Sequence, residues 1–499
     1  MSADTRPLFE SFELGPLSLS NRIVMAPMTR NFSPRGVPTE QVVEYYRRRA
    51  ESGVGLIITE GTTVGHQAAN GYPSVPAFHG EEALAGWKKV VDAVHAVGGK
   101  IAPQLWHVGN VRRLGTEPDP DVPGYGPMDK IKDGKKLVHG MTKQDIDDVV
   151  QAFAMAAKDA KSIGMDAIEL HGAHGYLIDQ FFWEGTNQRD DEYGGSMENR
   201  GRFAVEIVRA VREAVGADYP IIFRFSQWKQ QDYTARLAPT PELLEQFLKP
   251  LADAGVDIFH CSQRRFWEPE FEGSDLNLAG WTRKITGKPA ITVGSVGLDG
   301  EFLEFMVKTD KVAQTQNIDG LLERLGKGEF DLVAVGRALI VDPQWADKVR
   351  EGRFADILPF SREALNDCRP GQLAGLMPRM QSRTTTPFVI LDQPAQIIHE
   401  LFFVSRSRQA AAVAIIHMQI GRGQIERVHC QARRHRFDHY VAKGLGKAGK
   451  DQNIGACVSG GELQAGQAAH ENCPRHLFGQ GFLLRSGACQ DQSQTRIVA

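Results

Sequence analysis

The chain has 499 residues, of which 42% are hydrophobic and 24% charged, and its formal net charge is -3. That near-neutral balance supplies no positive field for nucleic acid or an anionic membrane, and no apolar run approaches the ~18–20 residues of a membrane span. Residues 1–12 hold no apolar run behind a basic segment, and the six cysteines form no C-x-x-C pair, so neither a secretion signal nor a zinc or iron–sulfur centre is expected, and free thiols in a reducing cytoplasm fit best.

In chain order, residues 9–19 alternate apolar and polar around Gly15-Pro16, the pattern of a hairpin that can plug the bottom of a barrel. Residues 22–29 read as a buried strand ending at Pro27, and 39–51 has helical spacing between a Thr39 cap and a Gly53 stop. Strands then alternate with amphipathic helices. The strands are expected at 55–59, 100–105, 167–170, 221–225, 258–261, 290–293 and 332–335. The helices are expected at 82–97, 143–162, 198–215, 241–254, 275–286, 299–306 with 318–325, and 345–350. With the strand before Pro27 this makes eight β/α units. That is the number of a TIM (β/α)8 barrel, so the fold class is α/β with an N-terminal hairpin plug. A doubly wound sheet competes, weakened by the lack of a G-x-G-x-x-G after an early strand. The connection 108–140 is long and rich in proline, glycine and charge, and at a barrel mouth it reads as a mobile lid.

The composition changes after about Asn366. Gln, Arg and His become frequent, and five of the six cysteines lie at or beyond Cys368. Residues 1–366 are therefore expected to form the barrel and 367–499 a C-terminal extension of uncertain structure. A small extra domain, a disordered tail and translation in a shifted frame all fit. The last is preferred, because the break falls where the eighth helix should finish.

The stretch His171-Gly172-Ala173-His174-Gly175-Tyr176 comes after the apolar strand 166–170 and is expected to be a loop at the C-terminal mouth of the barrel, where loops carry the chemistry. Two imidazoles can donate hydrogen bonds to one oxygen, and a phenol can donate a proton. That suits polarisation and protonation of an unsaturated carbonyl compound; ordinary loop histidines are the competing account. The turns Gly294-Ser295-Val296-Gly297 and Gly336-Arg337 end the seventh and eighth strands. Their glycines let backbone N–H groups approach a phosphate, and Arg337 adds charge; tight turns alone are the alternative. Gln104 can donate and accept, as a flat ring edge such as a flavin pyrimidine requires, or can be a satisfied core amide. Arg224 sits inside the run Ile221-Ile222-Phe223-Arg224-Phe225, so it should be buried and need a polar or anionic partner, either a flavin edge or a structural salt bridge.

These pieces resemble the Old Yellow Enzyme family of FMN-dependent ene-reductases. The matching motifs are Ala26-Pro27-Met28-Thr29-Arg30, the Gln104 strand end, His171 to Phe181, and the run Asn187-Gln188-Arg189-Asp190-Asp191-Glu192-Tyr193-Gly194-Gly195-Ser196-Met197-Glu198-Asn199-Arg200, with the two glycine turns. The resemblance covers about residues 7–365, and the long run is the most specific part. It implies FMN across the barrel mouth, lined by Ala26, Pro27, Met28 and Gly61, with Thr29 near O4 and with Gln104 and Arg224 on the pyrimidine. It implies a phosphate on Gly294, Ser295, Gly297, Gly336 and Arg337. It implies that His171 and His174 bind a substrate oxygen and that Tyr176 is the proton donor, with no metal. The run 187–200 is read as structural. The run Gln263-Arg264-Arg265-Phe266-Trp267-Glu268-Pro269 departs from the family pattern, and its aromatics are expected to shape the substrate pocket.

The resemblance therefore implies an NAD(P)H oxidoreductase that reduces activated C=C bonds, with NADH or NADPH as reductant. Its oxidant would be a small molecule: an unsaturated carbonyl compound, a nitro compound, a nitrate ester or a quinone. A homo-oligomer is compatible with this. A non-redox phosphate-binding lyase or isomerase and an FMN-binding sensor are the rival readings.

Overall fold

Short runs that are apolar on both faces form parallel strands covered by helices, because each face must be buried against something. A computed structural model of the chain describes residues 4–300, 312–316, 318–366 and 368, and short strands beyond them. In it the eight expected strands close into a barrel: β1 Ile23–Met25, β2 Leu56–Thr63, β3 Ile101–Trp106, β4 Ile168–His174, β5 Ile221–Lys229, β6 Ile258–Ser262, β7 Ala290–Val293 and β8 Leu332–Val335. Every neighbouring pair is parallel, and β8 pairs with β1 to close the ring. The outer helices are α1 Glu40–Glu51, α2 Glu81–Ala96, α3 Lys143–Ser162, α4 Met197–Val215, α5 Pro241–Ala254, α6 Leu278–Thr286, α7 Asp319–Gly326 and α8 Trp345–Arg350. Caps fix several starts. Thr142 and Asp145 form a reciprocal capping box at α3, and Thr240 and Asn277 cap α5 and α6. The Asn277 cap starts α6 later than the expected residue 275. Residues 301–306 of one expected helix lie outside the described residues.

The N-terminal hairpin, Phe12–Leu14 with Leu17–Leu19, is antiparallel. Phe12, Leu17 and Leu19 pack on the inward side chains Val24, Leu56, Ile58, Ala102, Ala167, Ile222, Ile258, Ile291 and Leu332. The hairpin is therefore the floor of the barrel, as its alternation predicts. Above this apolar layer the inward residues become polar, and that change sets the site.

The connection 108–140 is not a structureless loop. Gly124–Gly126, Lys130–Lys132 and Lys135–Gly140 form a small three-stranded sheet. Its base is tied by the buried Arg112 guanidinium, which donates to the carbonyls of Asn70, Thr116, Asp119 and Val122. Four backbone acceptors on one buried cation use most of its donors, so residues 116–122 at the start of this segment are tied to the loop at Asn70, while the Lys130–Lys132 strand is exposed.

The chain divides into two compact units, Met1–Val389 and Ile390–Ala499. In the second, His429–Cys430 pairs with Tyr440–Val441, and Glu462–Ala465, Ala456–Ser459, Gln492–Val498 and Leu483–Cys489 form an antiparallel sheet in that order. The reading of 367–499 as disordered or frame-shifted otherwise falls outside the described residues.

Candidate active site

Four neighbouring strands build a polar layer in the barrel mouth. Gln104 of β3, Glu169 of β4, Arg224 of β5 and His260 of β6 come two positions after the apolar Ala102, Ala167, Ile222 and Ile258, so they point the same way. Glu169 is fully buried and organises the layer. Its Oε1 accepts from Gln104 Nε2 at 2.8 Å, and its Oε2 lies 2.6 Å from His260 Nδ1. Arg224 is in register with His171 on one side and His260 on the other, and its Nη2 donates weakly to Ser262 Oγ at 3.4 Å.

The next step outward carries the expected chemistry. The two histidines do not sit in a loop: β4 runs on through His174, because β5 also lengthens, slips register between Phe225 and Lys229, and pairs Lys229 with His174. His174 then turns with φ 66°, a left-handed conformation uncommon for a side-chain-bearing residue, and Gly175 continues the turn at 78°. The turn breaks strand alternation and brings the rings together. His171 lies 5.1 Å from Tyr176 and 5.2 Å from His174 between ring centroids. His174 stacks on Trp228 at 4.6 Å, and its Nε2 lies 2.7 Å from Ser262 Oγ.

Burial drives both imidazoles well below the usual histidine pKa, with the Arg224 charge adding to the shift. Both are therefore neutral at physiological pH, and each offers one N–H. The Ser262 hydroxyl can donate to His174 Nε2, which leaves that ring's proton on Nδ1. Burial raises the Tyr176 phenol, while bonds with Tyr72 and Gln230 act the other way. Tyr72 Oη is 3.0 Å from Tyr176 Oη, and Gln230 Nε2 donates to the same oxygen at 3.2 Å. With Tyr72 also donating, the oxygen receives two hydrogen bonds and its own proton stays available.

The expected cofactor residues gather on the same mouth. A Cβ placed on Gly336 would lie 3.9 Å from Ala26 Cβ and 3.6 Å from Met28 Sδ, so the ends of β8 and β1 meet there. Pro27 and Met28 are part-buried, and Thr29 is exposed. Gly61 is in register with Gln104, and a Cβ on it would fall 2.6 Å from the Trp106 ring. Gly294, Ser295 and Gly297 all have positive φ, which makes the expected tight turn. Ser295 Oγ and Arg337 Nη2 both donate to the Gly300 carbonyl, at 3.0 and 2.5 Å, which joins the two halves of the phosphate candidate.

Four buried polar atoms of this mouth have no hydrogen-bond partner: Arg224 Nε and His260 Nε2 in the inner layer, and His171 Nδ1 and Trp106 Nε1 one step further out. Buried polar groups are rarely left so, and their gathering at this mouth fits a ligand with polar edges such as a flavin. Gln104 and Arg224 would hold its pyrimidine, and the Gly294–Gly297 and Gly336-Arg337 turns its phosphate. Among the described residues no His, Cys, Asp and Glu cluster suits a metal ion, and no helix is long and apolar enough to cross a membrane.

Sequence reasoning missed Glu169, His260, Ser262, Trp106, Tyr72, Trp228 and Gln230. The first four lie on the inward faces of the barrel strands, and period two alone would have found them. In the run 263–269, Phe266 and Trp267 pack on each other, and backbone and side-chain bonds tie the run to the Gly294–Ser295 turn.

Residues 7–356 match the family described as NADH:flavin oxidoreductase / NADH oxidase. The chain is 37% identical over 361 residues to an NADH oxidase of Thermoanaerobacter brockii, covering 70% of this chain and 52% of that protein. It is 33% identical over 350 residues to 12-oxophytodienoate reductase 2 of Arabidopsis thaliana, covering 65% and 92%. The chain thus spans about half the length of the first relative and nearly all of the second. Among solved structures, morphinone reductase in complex with tetrahydroNAD superposes with a TM-score of 0.60 at 30% identity, covering 72% of this chain and 93% of that one. An Old Yellow Enzyme homologue from Zymomonas mobilis gives 0.59 at 26% identity, covering 72% and 96%. A match that begins before the floor hairpin and ends after the eighth β/α unit takes in the whole barrel and every residue of the polar mouth, and the chain belongs to the NADH:flavin oxidoreductase / NADH oxidase family, the family of Old Yellow Enzyme.

Proposed function

We propose that the protein is an FMN-dependent NAD(P)H oxidoreductase that reduces the C=C bond of α,β-unsaturated carbonyl compounds. The observation that carries this reading is the convergence of two neutral imidazoles and a doubly hydrogen-bonded phenol beside the unsatisfied buried Arg224 Nε and His260 Nε2. FMN, when bound, supplies hydride exchange between a nicotinamide and the substrate. His171 and His174 donate to the substrate oxygen, drawing electron density from the double bond. Tyr176 gives its proton to the α carbon. Tyr72 and Gln230 stabilise the phenolate left behind, which keeps a phenol with an ordinary pKa near 10 usable as an acid. Trp106 and Trp228 wall the site with apolar surface. A 12-oxophytodienoate reductase and a morphinone reductase among the relatives are named for reductase activities of this kind, and a small-molecule oxidant with a nicotinamide reductant are the partners required.

The test is anaerobic. The purified protein should be yellow and release FMN, not FAD, on heating. NADH or NADPH should bleach it, and an enone should restore the colour faster than buffer alone. A colourless protein after reconstitution with FMN, or bleached protein that enones do not reoxidise, refutes the reading and favours the lyase or the sensor respectively.

A further inference from the structure

The turn that separates His174 from Tyr176 is held by residues that touch neither reactant. Asp179 and Lys229 form an ion pair with both side chains fully buried, Nζ to Oδ1 at 2.5 Å. The other carboxylate oxygen, Oδ2, accepts the Gly175 amide at 2.7 Å. Lys229 Nζ donates also to the Ser226 carbonyl at 3.3 Å, and Ser226 Oγ accepts the His174 amide at 3.0 Å. Gln180 Nε2 donates to the Gly175 carbonyl at 2.8 Å. Gly175 takes up the left-handed backbone at φ 78°, where a side chain would be strained, and a Cβ there would also displace the Gln231 amide.

A buried ion pair is weak as a source of stability, because desolvation offsets most of its attraction. Its use here is different. Left-handed backbone at His174 is strained and persists only where its surroundings over-determine it. The surroundings are the carboxylate on the Gly175 amide and the hydroxyl on the His174 amide, and Lys229 fastens the groups behind both. Its own position depends on the register slip in β5, which carries Trp228 to the His174 ring and Gln230 to the Tyr176 hydroxyl.

We propose that Asp179 and Lys229 are positioning residues: their buried pair clamps the His174–Gly175 turn and so sets where the Tyr176 hydroxyl stands relative to the imidazole donors. This rests on the reading of Tyr176 as the acid. Lys229 acts through Asp179 and Ser226, and neither member of the pair meets substrate.

The experiment uses two neutral double variants of the flavin-loaded protein, so that neither leaves a lone buried charge. Asp179→Asn with Lys229→Met keeps an acceptor for the Gly175 amide; Asp179→Leu with Lys229→Met removes it. Two readouts are taken. Hydrogen exchange of peptides spanning 171–177 should accelerate by about tenfold in the Leu/Met protein, the loss of a charge-assisted bond, and much less in the Asn/Met protein. The kcat for enone reduction should fall by about 10²-fold in the Leu/Met protein, less in the Asn/Met protein, and by little more when Tyr176→Phe is already present. Equal exchange in parent and both variants overturns the clamp. So does an enone loss that is as large in the Tyr176→Phe background as without it. Exchange needs no turnover: if Tyr176→Phe alone leaves enone reduction intact, the acid assignment falls, and the exchange pattern still decides the clamp.

Discussion

Glu60 should make the stability of the barrel fall as the pH rises toward neutrality. It stands at the irregular step of β2 next to Gly61, fully buried, and its Oε2 accepts the amides of Arg30 at 2.8 Å and Asn31 at 3.2 Å. Those bonds tie the barrel wall to the segment after Thr29. Burial is the largest influence and raises its pKa from the ordinary 4.5 to about 7, against the pull of the two amides and the Arg30 charge. Between pH 4.5 and 7 the folded chain therefore binds a proton that the unfolded chain has lost. Stability from this group is complete below pH 4.5 and is lost as the pH rises through 7. At about 1.4 kcal/mol per pH unit, the loss is about 3 kcal/mol. Glu60→Gln keeps the shape and an acceptor oxygen but cannot ionise. Urea unfolding of parent and variant at intervals from about pH 5 to about pH 8.5 isolates the group, since other titrations cancel in the difference. The variant should match the parent near pH 5 and gain on it by about 3 kcal/mol by about pH 8. A difference that stays flat with pH, or that favours the parent at high pH, refutes the reasoning: Glu60 would then ionise freely in the fold.

Tyr176→Phe should leave flavin bleaching by NADH or NADPH within a few-fold and slow enone-dependent recovery by roughly 10²–10⁴, the range of a lost general acid; stopped-flow traces showing equal losses in both would remove Tyr176 from that role. Quinones, which need no proton on carbon, should be largely spared. Gly61→Ala places a methyl against the Trp106 indole; overpacking of this kind costs about 1–3 kcal/mol, so the melting temperature should drop, and KM for enones should rise because Trp106 packs edge-on against Tyr176. Since Cys368 is buried and its carbonyl accepts from Arg48, the barrel should tolerate truncation after Val389, where the compact unit ends, and keep its flavin spectrum and turnover; loss of flavin would make the C-terminal residues part of the binding fold.

The barrel was legible because its cause is local. Each strand is a short apolar run bounded by polar or glycine residues, and the spacing of eight such runs leaves few other solutions. The inner polar layer was only half legible. Gln104 and Arg224 stand out because they interrupt apolar runs, whereas Glu169 hides beside the conspicuous histidines, and His260 sits in the middle of a short strand beside Cys261. Alternation links them: Ala102, Gln104 and Trp106; Ala167, Glu169 and His171; Ile222, Arg224 and Ser226; Ile258, His260 and Ser262. On each of these strands the inward face is apolar at the first of the three positions and polar at the second, and the change falls at one height in the barrel.

What no local pattern reveals is the turn at His174. Its left-handed φ and the lengthening of β4 are imposed by a slip in β5, a strand far along the sequence, and nothing in Gln227-Trp228-Lys229-Gln230-Gln231 marks it. That run looks like a solvated loop. Pairing in the barrel buries Lys229, which finds its carboxylate on the short helix Leu177–Phe182 after the turn. The burial of a lysine is decided by tertiary register and not by its neighbours in sequence. The motif from His171 to Phe181 thus records which residues meet the reactants, together with the Asp179 half of the clamp. The other half comes from a strand whose sequence gives no sign of it.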